Sequence, residues 1–78
     1  MKINTIWTQT NCQPCTAAKT MLTKAGIAFD IKTIGSDVTK EDFYKEFPNA
    51  RSVPQIYLDG KHIGGLNELK EYLSHDRN

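Results

Sequence analysis

Apolar and polar residues alternate from Lys2 to Thr8, with Ile3, Thr5 and Trp7 on one side and Asn4, Ile6 and Thr8 on the other. β-Branched and aromatic residues dominate the stretch, a pattern that predicts a strand. From Pro14 to Ala25 the period lengthens. Ala17, Ala18, Met21, Leu22 and Ala25 share one helical face, while Lys19, Thr20, Thr23 and Lys24 take the other. Pro14 suits a first helical turn, where its missing N–H is not needed. Gly26 is the expected C-terminal stop. Ala28 to Ile34 alternates again, with Phe29 and Ile31 on one face, and predicts a second strand. Strand, helix and strand in this order imply a parallel pair in a right-handed βαβ unit.

After the loop Gly35-Ser36-Asp37, Thr39 and Asp42 have the spacing of a capping box, with Asp in place of the usual Glu. The helix they open is expected to run to about Phe47, with Phe43 and Phe47 inward, and to end at Pro48-Asn49. Gln55 to Leu58 and Lys61 to Ile63 read as two strands joined at Asp59-Gly60, a two-residue hairpin signal. Gly64-Gly65 breaks the chain, and Asn67 is the expected N-cap of a last helix that turns Leu69, Tyr72 and Leu73 inward. Ser74 to Asn78 is expected to fray. The predicted order is β-α-β-α-β-β-α: an α/β fold with a short mixed sheet and helices on both faces.

Composition narrows the class. At 78 residues the chain is expected to form a single domain, residues 1–78, with a small core. With 38% hydrophobic and 24% charged residues and no low-complexity run, it reads as packed and not disordered. The net charge is +1 and the positive residues are scattered, so no basic stripe speaks for nucleic acid. No apolar run approaches the roughly 20 residues that cross a membrane. The start MKINTIWTQT holds one lysine and no apolar h-region, so no signal peptide is expected and a cytoplasmic location is. In that compartment a Cys-x-x-Cys pair reads as catalytic or metal-binding before it reads as a structural disulfide. Cys12 and Cys15 are the only cysteines.

Three motifs in order now bear on family: Cys12-Gln13-Pro14-Cys15 after the first strand, Ser52-Val53-Pro54 before the third, and Ile63-Gly64-Gly65 before the last helix. Over nearly its whole length the chain resembles a glutaredoxin of the thioredoxin fold. The stretch RSVPQIYLDGKHIGGLNEL is similar to bacterial and phage members. The resemblance implies thiol–disulfide oxidoreductase activity, with glutathione as reducing co-substrate, no metal, and disulfide-containing proteins as partners, ribonucleotide reductase among the possibilities. A monomer is expected.

The residues fit that chemistry. Thiolate is the attacking species in disulfide exchange. At the start of a helix, unpaired N–H groups and the positive dipole end stabilise a negative sulfur, which makes Cys12 the expected nucleophile. Cys15, one turn on and less exposed, is the expected resolving thiol, its attack intramolecular. Pro14 stands where thioredoxins carry proline, directly before the second cysteine. It removes an N–H that could face Cys12, so the reduction potential is expected below the glutaredoxin range, toward about −270 mV. The resemblance further implies a cis Val53–Pro54 bond beside the cysteines, with the Val53 N–H and C=O free to pair with substrate as an added strand; a trans proline opening an edge strand is the alternative on sequence alone.

It also implies that Gly64, Gly65, Leu66 and Asn67 receive the γ-glutamyl end of glutathione, with Gln9, Gln13, Arg51 and Ser52 completing the cleft. Two departures bear on that. Gln9 stands where many glutaredoxins carry lysine, and Leu66-Asn67 replaces the usual Cys-Asp. Arg51 is either a cleft cation or a solvated surface residue.

Rival readings start from the same residues. A zinc site needs four ligands, and Cys12 and Cys15 supply two. His62 and His75, which read as surface residues, lack the usual close spacing. An iron–sulfur cluster carrier would more usually lack the second cysteine. A glutaredoxin-like electron donor to ribonucleotide reductase, reduced by thioredoxin reductase, fits Gln9, Leu66 and Pro14, but His62-Ile63-Gly64-Gly65 stands where such donors carry a Trp-Ser-Gly-Phe type sequence.

Overall fold

The first strand, β1 (Thr5–Thr8), is buried at all four positions. The alternation in TIWT therefore does not divide core from solvent. It divides one core from another. Ile6 packs with Ala18, Leu22, Ile56, Leu58 and Leu69, whereas Trp7 packs with Phe43 and Phe47. The computed structural model describes residues 4–50 and 52–76, so the expected start of β1 at Lys2 lies outside the described residues.

The remaining elements are α1 (Gln13–Lys24), β2 (Asp30–Thr33), α2 (Lys40–Glu46), β3 (Gln55–Leu58), β4 (Lys61–Gly64) and α3 (Leu66–Asp76). The sheet order is β2-β1-β3-β4, parallel between β1 and β2 and antiparallel elsewhere. Helices α1 and α3 cover the Ile6–Ile56 face and α2 covers the Trp7 face, as expected of this α/β class. Complete burial of Ile6, Leu22, Ile56 and Leu69 stabilises the first core by about 1.5–3 kcal/mol per side chain. In the second, Trp7 meets Phe47 edge-on at 5.3 Å between ring centroids, the arrangement that the ring quadrupoles favour.

Local signals place most element ends. Thr39 accepts from the Asp42 N–H at 3.0 Å, and the Asp42 carboxylate accepts from the Thr39 N–H at 3.1 Å, closing the expected capping box. Asp59 and Gly60 have φ of 55° and 78°, the pair of positive values that a type I′ hairpin requires. The C-cap of α1 falls on Ala25, one position earlier than the expected Gly26, which follows it at φ 76° in the left-handed conformation that ends helices. Asn4 ties the hairpin to the start of β2: its side chain accepts from the Asp59 N–H at 2.9 Å and donates to the Ala28 carbonyl at 3.0 Å.

Two sequence expectations need correction. Asn67 is not the N-cap of α3 but its second residue. Gly65 holds the cap position, because its carbonyl accepts from the Leu69 N–H at 3.0 Å, and Leu66 begins the helix by packing onto the first core. β2 spans Asp30–Thr33, shorter than the expected Ala28 to Ile34; on this edge strand Ile31 is 45% exposed, whereas Phe29 packs against the first core. At its far end α3 runs through Ser74 to Asp76, and Arg77 and Asn78 lie outside the described residues.

Candidate functional site

The site is assembled from one helix start and two loops. Asn11 takes a left-handed φ of 58°, which asparagine tolerates better than most residues, and turns the chain from β1 into α1. Cys12 is then the N-cap of α1. Its Sγ accepts a hydrogen bond from the Cys15 N–H at 3.2 Å. Gln13 and Pro14 occupy the first two helical positions and are exposed. Of the N–H groups that ordinarily face a cap, at the second and third positions, proline deletes one and Cys15 supplies the other.

Cys12 and Cys15 are joined as a disulfide, with Cα atoms 5.3 Å apart. Cys15 is 1% exposed, whereas Cys12 retains partial access. The expected difference in exposure between the two sulfurs is therefore present.

Opposite the helix start lies Ser52-Val53-Pro54. The Val53–Pro54 peptide is cis. The Val53 carbonyl oxygen lies 3.9 Å from Cys12 Sγ, and among the described residues the Val53 N–H has no acceptor. Gln9, Ser52 and Val53 line a groove of about 120 Å³ beside the disulfide, together with Lys40 and Tyr44 of α2. Lys40 and Tyr44 were not singled out by sequence; Tyr44, 53% exposed, is visible only as an aromatic on the outer side of α2.

On the other flank of Pro54 stands the start of α3. A side chain at Gly65 would meet the Pro54 carbonyl at 3.3 Å, so glycine permits this close approach. At Gly64, φ is 120° and a Cβ would lie 2.8 Å from Glu68 Cγ. The Gly65 N–H donates to Glu68 Oε1 at 2.8 Å, so this helix terminus already carries a carboxylate from its own chain. Leu66 is half-buried and packs against the first core, and Asn67 is exposed. Arg51 lies outside the described residues. The structure thus gathers Cys12, Cys15, Gln9, Ser52, Val53, Pro54 and Gly65.

Behind the Val53 loop, Tyr57 donates its hydroxyl proton to the Glu46 carboxylate. That bond, with some burial, pushes the phenol up to about 12. Gln55, not singled out by sequence, and His62, weighed there as a zinc ligand and read as a surface residue, make a hydrogen-bonded pair next to it, 2.7 Å apart.

This arrangement matches known proteins. A glutaredoxin family model matches residues 4–63. Glutaredoxin 3 of Escherichia coli K12 is 33% identical over 64 residues, which are 82% of this chain and 77% of that protein. A hybrid peroxiredoxin of Haemophilus influenzae, hyPrx5, is 33% identical over 88% of this chain, which spans only 28% of that protein's length. The crystal structure of glutaredoxin 1 from Francisella tularensis superposes with a TM-score of 0.82 at 32% identity, covering 100% of this chain and 99% of that one. With a cysteine pair at the start of α1 facing a cis-proline loop, the chain belongs to the glutaredoxin family and is a thiol–disulfide oxidoreductase.

Proposed function

We propose that the protein is a glutathione-linked dithiol reductase of protein disulfides or glutathione mixed disulfides, with Cys12 as nucleophile and Cys15 as resolving thiol. The observation that carries this is the placement of Cys12 Sγ as the cap of α1, bonded by the Cys15 N–H and 3.9 Å from the Val53 carbonyl. In the reduced protein, the Cys12 thiolate attacks one sulfur of the substrate disulfide. A Cys12 mixed disulfide forms and the other substrate sulfur departs as thiolate, taking a proton from solvent. Cys15, losing its proton, attacks Cys12 Sγ and expels the second substrate thiol. Two electrons have passed to substrate and the Cys12–Cys15 disulfide remains. Two glutathione molecules then return it to the dithiol and leave as glutathione disulfide. The unpaired Val53 N–H and the Val53 carbonyl pair with the backbone of the incoming substrate or of glutathione.

The test is NADPH consumption in parallel mixtures, one with glutathione and glutathione reductase, the other with thioredoxin reductase. Turnover with glutathione supports the proposal, and turnover with thioredoxin reductase alone overturns it. A second reading, an electron donor to ribonucleotide reductase reduced by thioredoxin reductase, draws on one structural feature: Glu68 already occupies the Gly65 N–H. Together with Gln9 and Leu66, this leaves the α3 terminus less prepared for a glutathione carboxylate.

A further inference from the structure

We propose that Gln55 is a positioning residue for the substrate-pairing backbone of Val53, and that His62 holds it in place. This deepens the reading of Val53 given above and rests on it for its functional consequence.

Gln55 is 8% exposed and lies on the α2 face of β3, opposite Trp7 of β1. Its Nε2 donates to the Ser52 carbonyl at 2.9 Å, and its Oε1 lies 2.7 Å from His62 Nε2. The chemistry of the ends assigns every proton in between. A carbonyl oxygen only accepts, so the amide NH₂ must face Ser52 and the amide oxygen must face His62. His62 therefore carries a proton on Nε2 and donates. The imidazole is itself braced, with its ring centroid 4.9 Å from that of Phe47 and 5.5 Å from that of Tyr57. The relay thus runs from an aromatic brace through a buried amide to the residue directly before Val53.

Val53 packs against the second core and Pro54 is buried, but few hydrogen bonds fix the direction of the loop backbone. Among the described residues, Ser52 and Val53 make no backbone-to-backbone hydrogen bond, and Gln55 is the only group that bonds the Ser52 backbone. Two residues separate this anchor from Gln55's own backbone, which is fixed in the sheet by pairing with Trp7. The amide closes the Ser52–Gln55 segment into a ring and sets the direction of the Val53 carbonyl toward Cys12.

Four variants separate positioning from bulk stability. Gln55→Glu keeps the acceptor for His62 but replaces the donor to Ser52 with a second acceptor. Gln55→Leu removes both. His62→Phe keeps ring stacking and removes the donor, while His62→Gln restores an N–H at similar reach. Two readouts apply to the full chain: the ¹⁵N order parameter of the Val53 amide, and kcat and KM for a glutathionylated peptide, with the iodoacetamide alkylation rate of Cys12 as control. We expect the Val53 order parameter to fall from the rigid-backbone value near 0.85 toward about 0.6 in Gln55→Glu, Gln55→Leu and His62→Phe, and to recover in His62→Gln. We expect KM to rise about tenfold in Gln55→Glu, with kcat and alkylation changed less than about twofold, as loss of one well-aimed hydrogen bond implies. An unchanged order parameter in folded Gln55→Glu overturns the inference, as does a His62→Gln protein as loose as His62→Phe. If the wild type fails to turn over the peptide, the glutathione reading falls, while the order parameters still decide the relay.

Discussion

Two helix starts flank Pro54, and they treat the same backbone electrostatics in opposite ways. At α1 the cap is the sulfur of Cys12, partly accessible and served by the Cys15 N–H. At α3 the group facing the terminal N–H is the Glu68 carboxylate, from the same chain. Both exploit unpaired N–H groups and the positive helix end. In the proposed mechanism the anion at α1 is the attacking Cys12 thiolate of the reduced protein, so the stabilisation is available to chemistry. In α3 it is internal, so it serves helix stability and competes with any external carboxylate. The difference comes from side-chain reach: Glu at the third helical position folds back to the cap N–H, whereas the corresponding position of α1 is Cys15, which faces the core.

The comparison breaks most completely if the anion at α1 is removed. Cys12→Ser should abolish disulfide reduction, with kcat/KM down by at least about a thousandfold, because a hydroxyl at this site is not ionised at neutral pH. Cys15→Ser should instead separate the two substrate classes, losing reduction of protein disulfides while retaining turnover of glutathione mixed disulfides, as read in parallel steady-state assays.

A change of donor number at α1 should come next in size. Pro14→Ala restores an N–H at the second helical position. Each hydrogen bond to a charged group contributes about 1.5–3 kcal/mol, so the added donor should lower the Cys12 pKa and raise the reduction potential by about 30–60 mV. Redox titration against glutathione and thiolate absorbance at 240 nm measure the two shifts. A wild-type potential already near −200 mV, against the expected value of about −270 mV, would show that Pro14 does not hold it down.

Freeing the α3 terminus should give a smaller effect of two opposite signs. Glu68→Ala removes the internal carboxylate, so KM for glutathione should fall severalfold. Loss of the cap contact, about 1 kcal/mol, should lower Tm by about 4–8 °C. Glu68→Gln keeps a cap acceptor without the charge and should fall between the two. A KM that does not move in either variant would mean that Glu68 and glutathione do not compete.

The smallest effect belongs to the third helix start, α2, which lies at the groove edge but caps itself fully. Hydrogen bonds from the Thr39 N–H and then the Thr39 hydroxyl hold the Asp42 carboxyl below the usual carboxylate range. Because the folded pKa is the lower one, the contribution is present above the unfolded value near pH 4 and is lost as pH falls through the lowered pKa. Asp42→Asn should flatten the decline of Tm between about pH 4 and pH 2, since it removes the titrating group.

Much of this was legible along the chain because the signals act over a few residues. The Thr39–Asp42 box, the Asp59-Gly60 hairpin, the helical period from Ala17 to Ala25 and the Cys12-Gln13-Pro14-Cys15 spacing each follow from short-range sterics and hydrogen bonding. Asn67 was misplaced by one such rule. The segment Gly64 to Asn67 offers several acceptable cap residues, and the choice fell to Leu66, which gains more from the core than from solvent.

The sequence by itself determined which segments are helix and strand, and that two cysteines share one helix terminus. It could not determine what faces that terminus. Val53 lies 41 positions from Cys12. It arrives there because β3 pairs with β1 at Trp7↔Gln55, placing the loop before β3 beside the loop after β1. The same packing placed Gln55 against His62 and left Ile31 on an open edge. These contacts depend on strand order and on which faces two cores bury at once, energies shared among residues far apart in the chain, and no local pattern carries them.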